Sequence, residues 1–414
     1  MIFWSAVLFV FSIFVSQSAM DLFGTLLILS VCFRVVQDRR AGKKNLFIAI
    51  GFDWIWALWL GVVALSFALS PLEGTAWLSR LFEFRWIILL YVMVWTLRDQ
   101  GLKPKAQVAA SILLGLLSLY AIVIWCIGYD PVKNDYEMSA WTGGRRTGGL
   151  LSNPMTFAHI YGTAFCVFAG LSLYAIHFRS RYARYLLPAL VLAGLAVLLS
   201  FTRGMWIAMS VASLAMAFLF RVQLGATLTA AAAALVALAT LLWPTFRERI
   251  FFFSNSGDGR EWIWRAHWKI FTDHPLTGVG YGENFRMIPE YYKSIGAPAD
   301  IIISHAHNQY LHFLAGTGII GLLVYLLVLA LFCRLSWRVY KGIDVEFAFH
   351  KGLALGCFGA QIAFWVGGLT EANLEHSKVK SILLVVWALV VWLGAEHGLL
   401  RSFGSMTKAA KEPK

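Results

Sequence analysis

The sequence predicts an all-α polytopic membrane protein, and three observations carry that prediction. Hydrophobic residues fill 59% of the 414 positions and charged ones only 14%, far from a water-soluble balance. Mean hydropathy is +0.69. Apolar runs close to the roughly 20 residues needed to cross a bilayer recur along the whole chain. In hydrocarbon the backbone must bond to itself, so such runs are helices or closed-barrel strands. They lack the short alternation of barrel strands, which leaves helices.

Twelve membrane helices are expected, at about 2–17, 20–36, 46–70, 84–97, 106–127, 153–177, 185–201, 205–220, 223–243, 308–333, 347–369 and 379–399. The first run ends in Ser16-Gln17-Ser18-Ala19, like the end of a signal peptide, but no basic region precedes it and another apolar run follows. It reads as a retained helix. The chain divides into helices over residues 1–243, an outer loop at 244–306, further helices over 307–400 and a cytoplasmic tail at 401–414.

Charge placement orients the chain. Alternate connections carry Arg39, Arg40, Lys43 and Lys44, then Arg98, Lys103 and Lys105, then Arg179, Arg181 and Arg184, then Arg221, then Arg334, Arg338 and Lys341. With twelve spans these share one side, which puts both termini in the cytoplasm. The net charge of +13 is thus topological, with no basic block interleaved with aromatics, and no nucleic-acid partner is expected. Cys32, Cys126, Cys166, Cys333 and Cys357 are scattered without a CxxC pair, which argues against disulfides and thiolate metal sites.

The opposite face also carries basic residues, including Arg80, Arg85, Lys133, Arg145, Arg146, Arg203, Arg260, Arg265, Lys269 and Arg286. That runs against the topological rule and points to an anionic ligand, although the rule is weak for long loops that hold carboxylates too. Arg203 sits at an abrupt junction between two apolar runs. It either snorkels to lipid phosphate or faces a cavity, where its fork could grip a diphosphate. In the long loop, Ser256 or Asp258 can cap a helix starting near Gly259, with Trp264, His267 and Trp268 on one face for an interfacial position. Arg260 in its first turn gains nothing from the helix dipole, so it faces a ligand or a carboxylate.

Downstream, Gly278, Gly280 and Gly282 do not have dinucleotide-fingerprint spacing; a backbone phosphate cradle is a weaker alternative. His305, His307 and His312 crowd the next helix start beside Asn308 and Gln309. Without a Cys ligand or an H-E-x-x-H pattern a metal is not expected, and no cofactor is. His307 is either a loop histidine bonded to carbonyls or an acid/base group. Asp135 and Glu137 superficially resemble a metal-holding acidic pair, and Glu371, Glu375 and His376 could line the same cavity on sidedness alone.

Three stretches resemble the O-antigen ligase and polymerase superfamily of bacterial inner-membrane proteins. They are Thr202-Arg203-Gly204, the segment from Arg260 through His274-Pro275 to Phe285, and His307-Asn308 followed by nine residues and then Gly318-Ile319-Ile320-Gly321. The resemblance covers roughly residues 130–400. It implies a fold like C-type glycosyltransferases and a periplasmic site. The implied reaction moves O-antigen from undecaprenyl diphosphate to a sugar hydroxyl of lipid A–core oligosaccharide, without nucleotide or metal. It assigns His307, Arg260 and Arg203 to catalysis, and Arg145 or Arg146 to a recurring outer-loop pattern. Arg265, Asn308, Tyr281 and His305 are expected around the substrate. Within that resemblance stand a polymerase and a protein glycosyltransferase; a flippase is a third alternative, disfavoured by the sparse charge within the helices.

Overall fold

The computed structural model describes residues 2–42, 49–74, 77–82, 84–136, 145–242, 259–299, 301 and 305–400. Among these, fifteen α-helices follow in order: α1 Ile2–Ile13, α2 Gln17–Arg40, α3 Trp54–Ala68, α4 Trp77–Phe82, α5 Arg85–Gln100, α6 Pro104–Ile127, α7 Pro154–His177, α8 Ala183–Leu199, α9 Arg203–Phe220, α10 Val222–Leu242, α11 Arg260–Asp273, α12 Ile288–Ser294, α13 Gln309–Gly342, α14 Ala348–Gly367 and α15 Ser377–Glu396. One two-residue hairpin, Tyr129–Asp130 against Asp135–Tyr136, interrupts the helical pattern.

The all-α reading stands; the expected twelve spans do not. Among the described residues, six helices are long and apolar enough to cross a bilayer: α2, α6, α7, α9, α13 and α15. Several of the other apolar runs fold into pieces too short or too polar. Helices α1, α3 and α8 have 12, 15 and 17 residues, against the roughly 20 that a 30 Å core requires. The expected 84–97 span is a 16-residue helix that ends in Arg98 and Asp99. The 347–369 span carries His350, Lys351 and Gln361 through its length. Hydropathy finds apolar segments, but it does not see where loops cut them.

Helix α15 is the centre of the packing: from Val379 to Gly394 nearly every residue is buried. Trp387 on it stacks against Phe332 of α13 with ring centroids 4.1 Å apart. Helices α7 and α14 approach closely because Gly170 meets Gly352 and Gly356, where an added Cβ would lie 2.2 Å from a backbone nitrogen. Small residues at four-residue spacing permit this contact when no hydrophobic effect drives helices together in lipid.

The long loop is a satellite of this bundle with its own small core. On α11 the inward face is Ile263, Ala266, His267 and Ile270, packed with Val279, Ile288, Tyr291, Tyr292 and Ala315. Trp264 and Trp268 point outward as expected, 40% and 55% exposed. His267, expected beside them, instead turns inward and is fully buried. The proposed caps Ser256 and Asp258 lie outside the described residues, as does Glu137 of the acidic pair.

Candidate active site

Three helix ends meet at one end of the bundle. Asn308 caps α13, its side-chain oxygen accepting the N–H groups of Tyr310 and Leu311, each at 3.0 Å. Gln309 then fastens α13 to the loop between α14 and α15. Its backbone N–H donates to Gly368 O at 2.7 Å, and its side-chain oxygen accepts from Leu374 N at 2.7 Å. The start of α9 packs on the same loop: a Cβ on Gly204 would fall 1.8 Å from Thr370 Oγ1. Glycine permits that approach, and it brings the backbone next to Arg203 against Thr370.

His307 immediately precedes the cap, with φ +44. This is left-handed backbone that an L residue seldom adopts, held here by the cap and the Gln309 staple. Its Nδ1 lies 3.1 Å from Glu371 Oε2. Glu371 is 2% exposed. Its other oxygen accepts from Ala372 N at 3.0 Å and lies 3.6 Å from His305 Nε2 and 3.9 Å from His376 Nε2. Burial pushes the Glu371 carboxyl up, but hydrogen bonds from His307 and His376 and the charges of His307 and His305 win, holding it well below the usual carboxylate range. Burial, then the neighbouring His307, push His305 down to about 4.

The remaining predicted residues fall around this centre in different ways. Arg146 donates from Nε to Ser200 O at 2.9 Å and from Nη2 to Thr202 Oγ1 at 3.4 Å, bracing the turn that presents Arg203. Arg145 instead caps the end of α6, bonding Cys126 O at 3.1 Å. Arg260 opens α11; one turn later Trp264 Nε1 donates to Ala306 O at 2.9 Å, tying that helix to the His305–His307 segment. Arg265 lies on the exposed side, paired with Glu261 and stacked on Trp262. Tyr281 is buried with its N–H on Ser66 Oγ at 3.2 Å. Asn308 serves as the helix cap.

Much of the outer basic set turns out to be neutralised within the protein. Arg85 pairs with Asp21, Lys133 with Asp130, Lys269 with Asp273, and Arg286 with Glu283. Arg80 reaches Glu283, Glu375 and the Gly282 carbonyl. Sequence reasoning counted these cations without pairing them: the partners of Arg80 and Arg85 are far away in the chain, while those of Lys133, Lys269 and Arg286 lie three or four residues off. It also missed a second histidine–carboxylate pair. His312 Nε2 lies 3.1 Å from Glu375 Oε1, and its Nδ1 accepts from Asn284 Nδ2 at 3.1 Å.

The glycine-rich stretch does not offer a phosphate cradle. Val279 and Gly280 donate their N–H groups to Ala315 O and Gly316 O at 3.2 and 2.9 Å. Metal chemistry has some geometric footing: donor atoms of His305, His307 and Glu371 all lie within 4.8 Å of one another, close enough to share an ion.

Residues 188–326, which hold Arg203, Arg260 and His307, match the O-antigen ligase family. Over that stretch the chain is similar to the O-antigen ligase family. An O-antigen ligase of Pseudomonas aeruginosa is 29% identical over 244 residues, 59% of this chain and 55% of that relative. The chain therefore spans about half the length of the curated ligase it matches. The ligase-matched region stops short of Glu371, so the carboxylate beside His307 comes from outside it.

Proposed function

We propose that this protein is an O-antigen ligase of the bacterial inner membrane. It transfers glycan from undecaprenyl diphosphate to a sugar hydroxyl of lipid A–core oligosaccharide at a periplasmic site. The observation that carries this reading is His307. Within the ligase-matched region, its Nδ1 faces a buried carboxylate while Nε2 makes no hydrogen bond among the described residues. A general base needs such a nitrogen.

The reaction balances without further reagents. His307 Nε2 takes the proton of the acceptor hydroxyl as its oxygen forms a bond to C1 of the reducing-end sugar. The bond from C1 to the diphosphate oxygen breaks on the opposite face, and undecaprenyl diphosphate leaves with the electron pair. The centre inverts. Arg203 and Arg260 stabilise charge gathering on the leaving oxygen, the role a metal plays in other transferases. Arg146 holds the turn that carries Arg203. Arg145 and Asn308 support the site by capping helix ends, and His305 supports it beside Glu371. Basic residues at the opposite helix ends, among them Arg179, Arg181, Arg221, Arg334 and Lys341, support a cytoplasmic face there.

A polymerase would use a second lipid-linked glycan as acceptor, and a protein glycosyltransferase a polypeptide. Reconstitution with lipid-linked O-antigen and each acceptor in turn separates them by product size. In that assay H307A is expected to lower transfer at least 100-fold, a typical range for a lost acid–base group, with the protein still inserted. Near-normal transfer by H307A would remove the base assignment.

A further inference from the structure

We propose that Glu371 is a positioning residue for this reaction: its carboxylate fixes the proton of His307 on Nδ1 and so leaves Nε2 as the nitrogen that accepts the hydroxyl proton. The proposal rests on His307 being the base and adds the group that makes it one.

The geometry gives the carboxylate little freedom. Glu371 follows Thr370, which packs against Gly204 and donates from Oγ1 to Gly367 O at 3.1 Å, and its Oε1 is anchored by Ala372 N–H at 3.0 Å. That leaves Oε2 aimed at His307 Nδ1, 3.1 Å away. An ionised carboxylate only accepts hydrogen bonds, so the imidazole nitrogen facing it must be the donor. With Nδ1 protonated, a neutral ring carries its lone pair on Nε2. When Nε2 gains the acceptor's proton, the imidazolium forms against a buried negative charge already in position, as in hydrolase triads.

The neighbouring histidine supplies a contrast. His312 also faces a carboxylate, but Asn284 occupies its second ring nitrogen. Both nitrogens serve the fold, which suits a structural role. At His307 one nitrogen faces the fold and the other is left for chemistry. His305 and His376 approach Oε1 at 3.6 and 3.9 Å, adding polar support to the carboxylate without displacing His307.

The test uses the full-length protein in nanodiscs with lipid-linked O-antigen and lipid A–core. Glu371→Gln keeps the shape but loses the charge and the acceptor-only character, so kcat should fall about 100-fold or more. KM for the donor and the melting temperature should stay near wild type. Glu371→Asp restores a carboxylate one methylene shorter and should recover part of the lost kcat. Because the residue acts through His307, the double variant E371Q/H307A should be no slower than H307A. Nitrogen-15 spectra of labelled histidine should show the Nδ1–H form at His307 in wild type and a tautomer mixture in E371Q.

Wild-type kcat in E371Q would overturn the proposal, as would a double variant much slower than H307A. Loss of wild-type activity on chelation, restored by added divalent ion, would also overturn it and assign the cluster to a metal. An active H307A would overturn the base assignment itself. If H307A is inactive and E371Q is not, only the positioning role is lost.

Discussion

His267 shows at the scale of one residue how burial decides chemistry. It is fully buried on α11, with Nδ1 on Ile263 O at 2.8 Å and Nε2 without a partner among the described residues. Burial, then the nearby His312, push it down to about 3. An unfolded histidine titrates near 6.5, so between these values the unfolded chain binds more protons than the folded one. Stability is then present above pH 6.5 and is lost as pH falls, by about 2 kcal/mol at pH 5 from this residue. His267→Phe keeps a ring and removes the titration. The melting temperature should fall less between pH 7 and 5 in H267F than in wild type; equal falls would show that His267 is not the sensor. From sequence, helical spacing grouped His267 with Trp264 and Trp268, and spacing alone could not say which face met the core. His307 was singled out by its position before a helix. Glu371 was noted by sidedness only, since its contact spans 64 residues.

At the scale of elements, the break in α13 explains how the loop reaches the bundle. Gly318 has φ +63 and ψ −168, a conformation that is essentially confined to glycine. The opened turn lets Ile319 N–H donate to Pro275 O at 2.9 Å, while Val279 and Gly280 bond the carbonyls before it. The post-α11 segment thus docks beside the helix that starts at Asn308. A Cβ on Gly318 would lie 2.3 Å from Leu276 O. Gly318→Ala should therefore cost roughly 2–4 kcal/mol from strain and clash together and reduce transfer by loosening the loop. Gly61→Ala, with open space around the added carbon, serves as control. Equal melting temperatures for the two variants would refute the docking argument. The glycines were legible as turn formers, and the loop helix was legible from its aromatic pattern. Their partner was not, because a helix that breaks its own ladder to receive a loop has no local pattern.

At the scale of the whole molecule, hydropathy identified a helical membrane protein but overcounted its crossings. Sidedness argued from twelve alternating spans loses that support. The contacts offer a different argument, independent of the count. The ends of α6 and α8 and the starts of α9, α13 and α15 gather at one end through Arg145, Arg146, Gly204 and Gln309. His307 and Glu371 lie there. At the other end of the same helices, Arg221 meets His177 at 3.2 Å, and Tyr340 meets Leu219 O at 3.3 Å. If the His307 end faces the periplasm, a membrane-impermeant maleimide should label Leu276→Cys in intact spheroplasts, because Leu276 is 64% exposed in the docked segment. Lys105→Cys, at the opposite end of α6 from Arg145, should label only after permeabilisation. Native Cys32 and Cys126 are exposed and need replacement by Ser first. Labelling of Lys105→Cys in intact spheroplasts, with Leu276→Cys protected, would reverse the orientation and put the site in the cytoplasm. A periplasmic acceptor could not reach it there.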